Sequence, residues 1–320
     1  MKLNIKQKGS TLLLSLIALA IVTTFVSKTH LHVNHTSKLL DSQINTETRT
    51  EYLLAGEAWI ENQLLLNEWP GRNGRILSSV SFDIEGGNLD ILVTDFNSCI
   101  NVNKFTDGEQ VLETHNALMR LSDNVNGSGF SSWVGVIKDW IDLDGQTSLS
   151  GAEDAFYIAK STSYRTPNGS VQGDSEWPLL NLNTTEFNKV LPFICAVDST
   201  KSTINLNTAP KEVLLATLED LSEEQAKLIV GRQQDKPFSN LSEFHGDQSF
   251  ENIKLEEALW STRTNDVFGL VKLTTKDQIY WLQTLVSKDE NDIIKSSSRA
   301  FLPPNTYMKQ RFNLKDNSYE

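Results

Sequence analysis

The chain has 320 residues, enough for one large domain or two smaller ones with a real core. Its net charge of −12, from 41 acidic and 29 basic residues, argues against a general nucleic-acid binder, because phosphate contacts need clustered Lys and Arg. Cys99 and Cys195 are the only cysteines, too few for a four-ligand zinc site on their own.

The first predicted element is membranous. Lys2, Lys6 and Lys8 precede an apolar run from Ser10 to Val26. Its 17 residues would span ~26 Å as a helix, just under the ~30 Å hydrocarbon core. The length suits a short anchor or a signal-peptide core. The preceding lysines place the N-terminus in the cytoplasm and the bulk of the chain across the membrane. The residues after the run, Ser27-Lys28-Thr29-His30, make a poor small-x-small cleavage site. The small residue instead precedes the run, at Gly9, directly after a lysine.

From Lys28 to Trp69 there is no proline, and Leu40, Ile44, Tyr52, Ala55, Trp59 and Leu66 recur mostly at helical spacing. One long helix is predicted, ended by Pro70-Gly71. Val80, Phe82 and Ile84 alternate, as do Leu89, Ile91 and Val93, around Gly86-Gly87-Asn88. That pattern is a β-hairpin. Residues 106–260 read as helices and loops, and alternation returns at Val267–Leu273 and Ile279–Gln283. The late strands are expected to complete the sheet begun by the hairpin, and the tail from Asn305 to fray. A short echo links Cys99-Ile100-Asn101-Val102-Asn103 to Ile204-Asn205-Leu206-Asn207.

Five carboxylates fall within the sixteen residues from Asp139 to Asp154, around Asp142-Leu143-Asp144-Gly145. Alternating oxygens on a turning backbone suit a hard cation such as Ca²⁺, which takes six to eight oxygen ligands. The order is not that of an EF-hand. A solvated acidic loop and an acid–base pair are the competing readings. Further on, Thr208 and Pro210 read as the cap and first turn of a helix, and Ser222 as the cap of a second, reaching about Gln233. The pair looks like the helix-hairpin-helix region of DNA-uptake proteins. Its connector, Leu218-Glu219-Asp220-Leu221-Ser222-Glu223-Glu224, has no glycine and four acids, which would repel a phosphate backbone.

The Lys8-Gly9-Ser10 junction resembles the type IV prepilin signal, in which a prepilin peptidase cuts after the glycine; Gly9 and Ser10 are then the processing residues. Where most pilin-like proteins carry glutamate at the fifth position after the cut, this chain has Leu14. That absence, Gly56 in Leu54-Ala55-Gly56-Glu57-Ala58-Trp59, the tryptophan-isoleucine-aspartate-x-aspartate run with Gly151-Ala152-Glu153-Asp154, and Asn205–Pro210 together resemble the general secretion pathway protein K family.

The resemblance implies an α+β fold: a long pilin-like N-terminal helix packed on an antiparallel β-sheet, with a large α-helical insertion. The expected organisation is a leader at 1–9, a transmembrane helix at 10–27, a pilin-like helix and first strands at 28–105, the insertion at 106–260, and remaining strands with a polar tail at 261–320. It implies a structural minor pseudopilin of the type II secretion system, not an enzyme, capping the pseudopilus tip and initiating its assembly. The implied partners are the I-type and J-type minor pseudopilins, other pseudopilins, the inner-membrane secretion platform and the prepilin peptidase, with no nucleic acid. By carry-over, Asp142, Asp144, Glu153 and Asp154 are the candidate Ca²⁺ ligands, with Asp139, Asp174 and Glu176 as weaker ones. In an exported domain Cys99 and Cys195, at the two edges of the insertion, are expected to form a disulfide; two buried thiols are the alternative. The alternative functions are a membrane-anchored periplasmic protein with a degenerate DNA-uptake module, and a calcium-dependent periplasmic hydrolase.

Overall fold

The computed structural model describes residues 8–314 except 71, 107, 109, 127–130, 183, 198–201, 277, 290 and 313. The chain divides after Tyr52 into two compact units. Helix α1 (Lys8–Leu66) begins in the first and ends in the second.

The first unit is helical throughout its described residues. Within it Leu12–His30 is long and apolar enough to cross a membrane. Its large apolar side chains, Leu14 and Phe25 among them, are exposed. The leader residues 1–7 lie outside the described residues; Gly9 and Ser10 belong to the first turn of α1.

The second unit starts with the last turns of α1. The helix stops at Leu66, one turn before Pro70. Asn67 is left-handed at φ 54°, and the N–H of Glu68 reaches the Gln63 carbonyl at 3.2 Å. This is a Schellman closure, so Asn67 ends the helix and the proline merely follows it.

Strands β1 (Ile76–Ile84) and β2 (Gly87–Asp95) form the hairpin, turning at Gly86 with φ 84°. After them come β3 (Ile100–Asn101), α2 (Val111–Asn126), α3 (Ser132–Ile141), α4 (Asp154–Ile158), α5 (Thr184–Val190) and β4 (Ile194–Cys195). Next are β5 (Ile204–Asn205), α6 (Lys211–Thr217), α7 (Glu223–Asp235), α8 (Leu241–His245) and β6 (Trp260–Ser261). The chain closes with β7 (Asp266–Thr275), β8 (Ile279–Lys288), β9 (Ile294–Ala300) and α9 (Thr306–Arg311).

The main sheet is antiparallel in the order β1-β2-β7-β8-β9. Strands β2 and β7, far apart in sequence, are neighbours in the sheet and pair directly, from Gly87 with Thr275 to Asp95 with Val267. The helical block is therefore spliced in between two adjacent strands. It runs over 96–265, wider at both ends than the 106–260 expected from sequence.

Period-two alternation assigns the two faces of the sheet. Val267 and Val271 of β7 lie on the side of α1, where a Cβ on Gly56 would come within 2.6 Å of Val271 Cγ1. Glycine at 56 lets the helix approach that closely. On the opposite side Phe268, Leu270, Trp281 and Leu285 join Phe96, Met308, Phe312 and the Cys99–Cys195 pair in a buried cluster. The Phe96, Phe268 and Phe312 rings stack at 5.3 Å centroid spacings.

The helical block has its own core, including Trp133, Trp177, Phe187, Leu214, Phe238 and Trp260. Its two asparagine segments are one device used twice. Ile100–Asn101 pairs in parallel with Ile194–Cys195, and Ile204–Asn205 with Trp260–Ser261. Asn101 and Asn205 each cap the N–H two residues on, at 3.1 and 3.0 Å. Asn103 then grips both the N–H and the C=O of Val171 (2.8 and 3.0 Å), and Asn207 those of Phe238 (2.8 and 2.8 Å). A primary amide offers a donor and an acceptor together, which matches one peptide group.

Within the expected fraying tail, residues 305–312 are folded. Asn305 caps α9 by accepting from the Met308 N–H at 2.9 Å, and Met308 and Arg311 are buried.

Candidate functional site

The carboxylates gather where α3 ends and α4 begins. Asp139 lies on the inner face of α3, fully buried, and its carboxylate accepts the Ser148 N–H at 3.0 and 3.1 Å. Gly151 lies so close to Asp139 that a Cβ there would meet the carboxylate. Asp142 is the residue after the last turn of α3 and is partly buried. Glu153 precedes α4 and is 6% exposed. Oxygens of these three residues lie within 4.8 Å of one another.

Two of these residues each carry a buried oxygen without a protein hydrogen-bond partner, Asp142 Oδ1 and Glu153 Oε1. Buried polar atoms are normally satisfied, so the pair needs an outside partner. Burial pushes the Asp139 and Glu153 carboxyls up, and the charge of Asp142 adds to both. An array of hard oxygens that resists carrying three negative charges suits a divalent cation of the calcium type.

Of the four candidate ligands carried over from the resemblance, the structure brings Asp142 and Glu153 together, with Asp139, a weaker candidate, as the third member. Asp144 is exposed and accepts the N–H of Gln146 at 2.8 Å. Asp154 is turned the other way, bonded to Thr166 (3.0 Å) and Arg165 (3.1 Å). The two remaining candidates serve elsewhere. Asp174 receives Arg311 through two bonds of 2.8 Å and Trp177 Nε1 at 2.8 Å; Glu176 accepts from Trp140 Nε1 at 3.1 Å. Adjacent acids in a loop point to different sides, so spacing alone could not separate ligands from tethers. Cys99 and Cys195 are joined as a disulfide, with Cα atoms 5.8 Å apart.

The helix pair after Asn207 departs from its expected capping. Thr208 does not cap α6; its hydroxyl donates to Asp95 Oδ2 at 2.6 Å, and Pro210 occupies the cap position. Ser222 and Gln225 form the capping box of α7. In the connector Leu218 and Leu221 are buried and Glu219 pairs with Arg120 at 2.8 Å. The acidic connector thus serves packing and an ion pair within the protein.

Sequence reasoning missed a second fully buried carboxyl group. Asp95, at the end of β2, accepts Thr208, Thr264 (2.7 Å), Asn205 (2.9 Å) and the N–H of Asn97 (2.7 Å). The polar run Asp95-Phe96-Asn97-Ser98 after an apolar strand was its only signal. Burial pushes the Asp95 carboxyl up, against those four hydrogen bonds.

Models of the family described as type II secretion system (T2SS), protein K, match residues 98–199 and 204–262, together half of the chain. The chain belongs to the type II secretion system protein K family. The two matched stretches are the two asparagine-led halves of the helical block. Among the family's members, the protein K of Klebsiella pneumoniae is 28% identical over 68% of this chain and 71% of its own length. That of Pectobacterium carotovorum subsp. carotovorum is 25% identical over 70% of this chain and 75% of its own. The fold is similar to that of a chain in the crystal structure of the GspK-GspI-GspJ complex from enterotoxigenic Escherichia coli. The TM-score is 0.66 at 16% identity, covering 82% of this chain and 99% of that one.

Proposed function

We propose that this chain is the minor pseudopilin that caps the tip of a type II secretion pseudopilus and initiates its assembly, in complex with I-type and J-type minor pseudopilins. The observation that carries the reading is the helical block at 96–265 spliced between β2 and β7 of a helix-on-sheet body. Regular helical stacking of subunits leaves little room for a block of that size except where no subunit lies ahead. Leu14 fits the same position. A subunit inside the fibre needs a negative group to meet its neighbour's N-terminal amine, because an unpaired charge in an apolar core is costly. The span Leu12–Val26 contains no acid.

On this reading the precursor is cut by the prepilin peptidase between Gly9 and Ser10, and the apolar span holds the subunit in the inner membrane with its N-terminus cytoplasmic before assembly. Calcium is the cation assigned to Asp139, Asp142 and Glu153, with the two unpartnered oxygens as support. When bound, the ion would offset two of the three carboxylate charges; the residues themselves would tie the end of α3 to the start of α4.

Gold labelling of sheared pseudopili tests the tip reading, with co-purification of the two other minor pseudopilins as its companion. One label at one fibre end and a ternary complex are expected. Labels spaced along the fibre would rule out the tip.

A further inference from the structure

Lys138 belongs to the last turn of α3, on the same side as Asp142. Its Nζ donates to Asp142 Oδ2 at 2.6 Å and to Ser148 Oγ at 3.1 Å. Asp139 and Asp144 also act on the ammonium. The side chain is only 23% exposed. Asp142 has one oxygen committed to Lys138 and the other buried without a protein partner. A divalent ion that takes Asp142 as a ligand must therefore share one carboxylate with an ammonium group.

Two cations on one carboxylate lie well within the Debye length of ~8 Å, and their repulsion in a partly buried corner is poorly screened. The ion must expel the ammonium or bind against it. Either course weakens binding, because the ammonium is tethered one helical turn away and never diffuses off. The bland alternative is an ordinary i,i+4 pair favoured by the helix C-terminus, with no bearing on the ion.

We infer that Lys138 is a built-in competitor of the cation at the Asp139–Asp142–Glu153 cluster, setting the calcium concentration at which the loop binds the ion; this rests on the calcium reading above. The lysine holds Asp142 when calcium is scarce and yields it when calcium is plentiful. The site is thereby tuned to a threshold instead of to maximal affinity.

The test uses the full chain in detergent, with calcium chloride titrated calorimetrically into wild type, Lys138→Met and Lys138→Arg. Methionine keeps the stem and removes the charge; arginine keeps the charge. Lys138→Met is expected to lower the calcium Kd roughly tenfold, about 1.4 kcal/mol, with Lys138→Arg near wild type. Melting should show opposite signs: Lys138→Met melts lower than wild type in chelator and gains more on adding calcium. If Lys138→Met does not fold in chelator, protein folded in calcium is stripped by stepwise chelator, and should hold its ion to a higher chelator concentration than wild type. Equal Kd values for wild type and Lys138→Met, with a normal calcium response, would overturn the competitor role and leave the site standing. No calcium response in either protein would overturn both.

Discussion

Glu57 shows how a single residue couples the helix to the sheet. It is 2% exposed and accepts Thr284 Oγ1, Ser296 Oγ at 2.9 Å and Arg299 Nε at 2.7 Å. Burial pushes its carboxyl up, but the hydrogen bonds from Arg299, Thr284 and Ser296 together outweigh that and hold it below its ordinary 4.5. Such a group contributes stability that is full above pH 4.5 and is lost as pH falls through the lower folded value. Arg299 is half exposed and can turn to water, so its share is discounted. Glu57→Ala is expected to cost about 2 kcal/mol, read as a lower urea midpoint at pH 7. Glu57→Gln should be clearly less stable than wild type at pH 7, and the gap should narrow in acid. A gap unchanged at low pH would place the effect in packing instead of charge.

At the scale of elements, the calcium proposal concerns the loop joining α3 to α4. If calcium binds at a hundred times its dissociation constant, it adds about 2.7 kcal/mol. Chelation should lower the melting temperature, and Asp139→Asn with Asp142→Asn should remove the response. The direction with pH follows from the raised Asp139 and Glu153 carboxyls. The folded chain holds protons on them more tightly than the unfolded chain, so in chelator their burden on stability eases as pH falls. Protons also compete with the ion, so the calcium increment should shrink from pH 7 to about pH 5. An increment independent of pH would argue that other groups bind the ion.

The disulfide acts on the same scale. Cys99 and Cys195 are 96 residues apart in sequence and join the end of the strand β4 to the start of the block. The chain-entropy model gives about 4–5 kcal/mol for a loop of that length, an upper value for measured bridges. The Cys99→Ser, Cys195→Ser double variant should melt well below wild type. Thiol labelling of denatured, unreduced protein should find no free sulfhydryl; two labels per chain would mean that the bridge does not form in the exported protein.

At the scale of the whole molecule, function requires the anchor and the folded domain to be delivered in order. Gly9→Val should block the cut ahead of the apolar span and leave a full-length precursor in the membrane. Secretion should stop even though the domain folds. Normal mature protein from that variant would mean the span is a plain anchor.

What the sequence by itself determined is what short range encodes. A mostly apolar run of 17 residues after three lysines marks a membrane-compatible helix whatever follows. Alternation at Leu89–Val93 and Val267–Leu273 marks strands, because a pleated strand with one buried face has period two. Ser222 and Gln225 mark a helix start, because their side chains meet amides only a turn away. The repeated Asn-x-Asn was visible too, but only as a spelling. Tertiary structure decided the rest. Asn207 finds Phe238, Glu57 finds Arg299, and Asp95 finds Thr264, each across a stretch that no local pattern spans. Residues 305–312 fold back because Arg311 reaches Asp174 inside the helical block. Among five neighbouring carboxylates only packing distinguishes ligand candidates from tethers, since the turn of the loop at Gly151 sets where Asp139, Asp142 and Glu153 meet. Periodicity reports which face of an element is buried; it carries no information on which buried groups from distant elements come into contact.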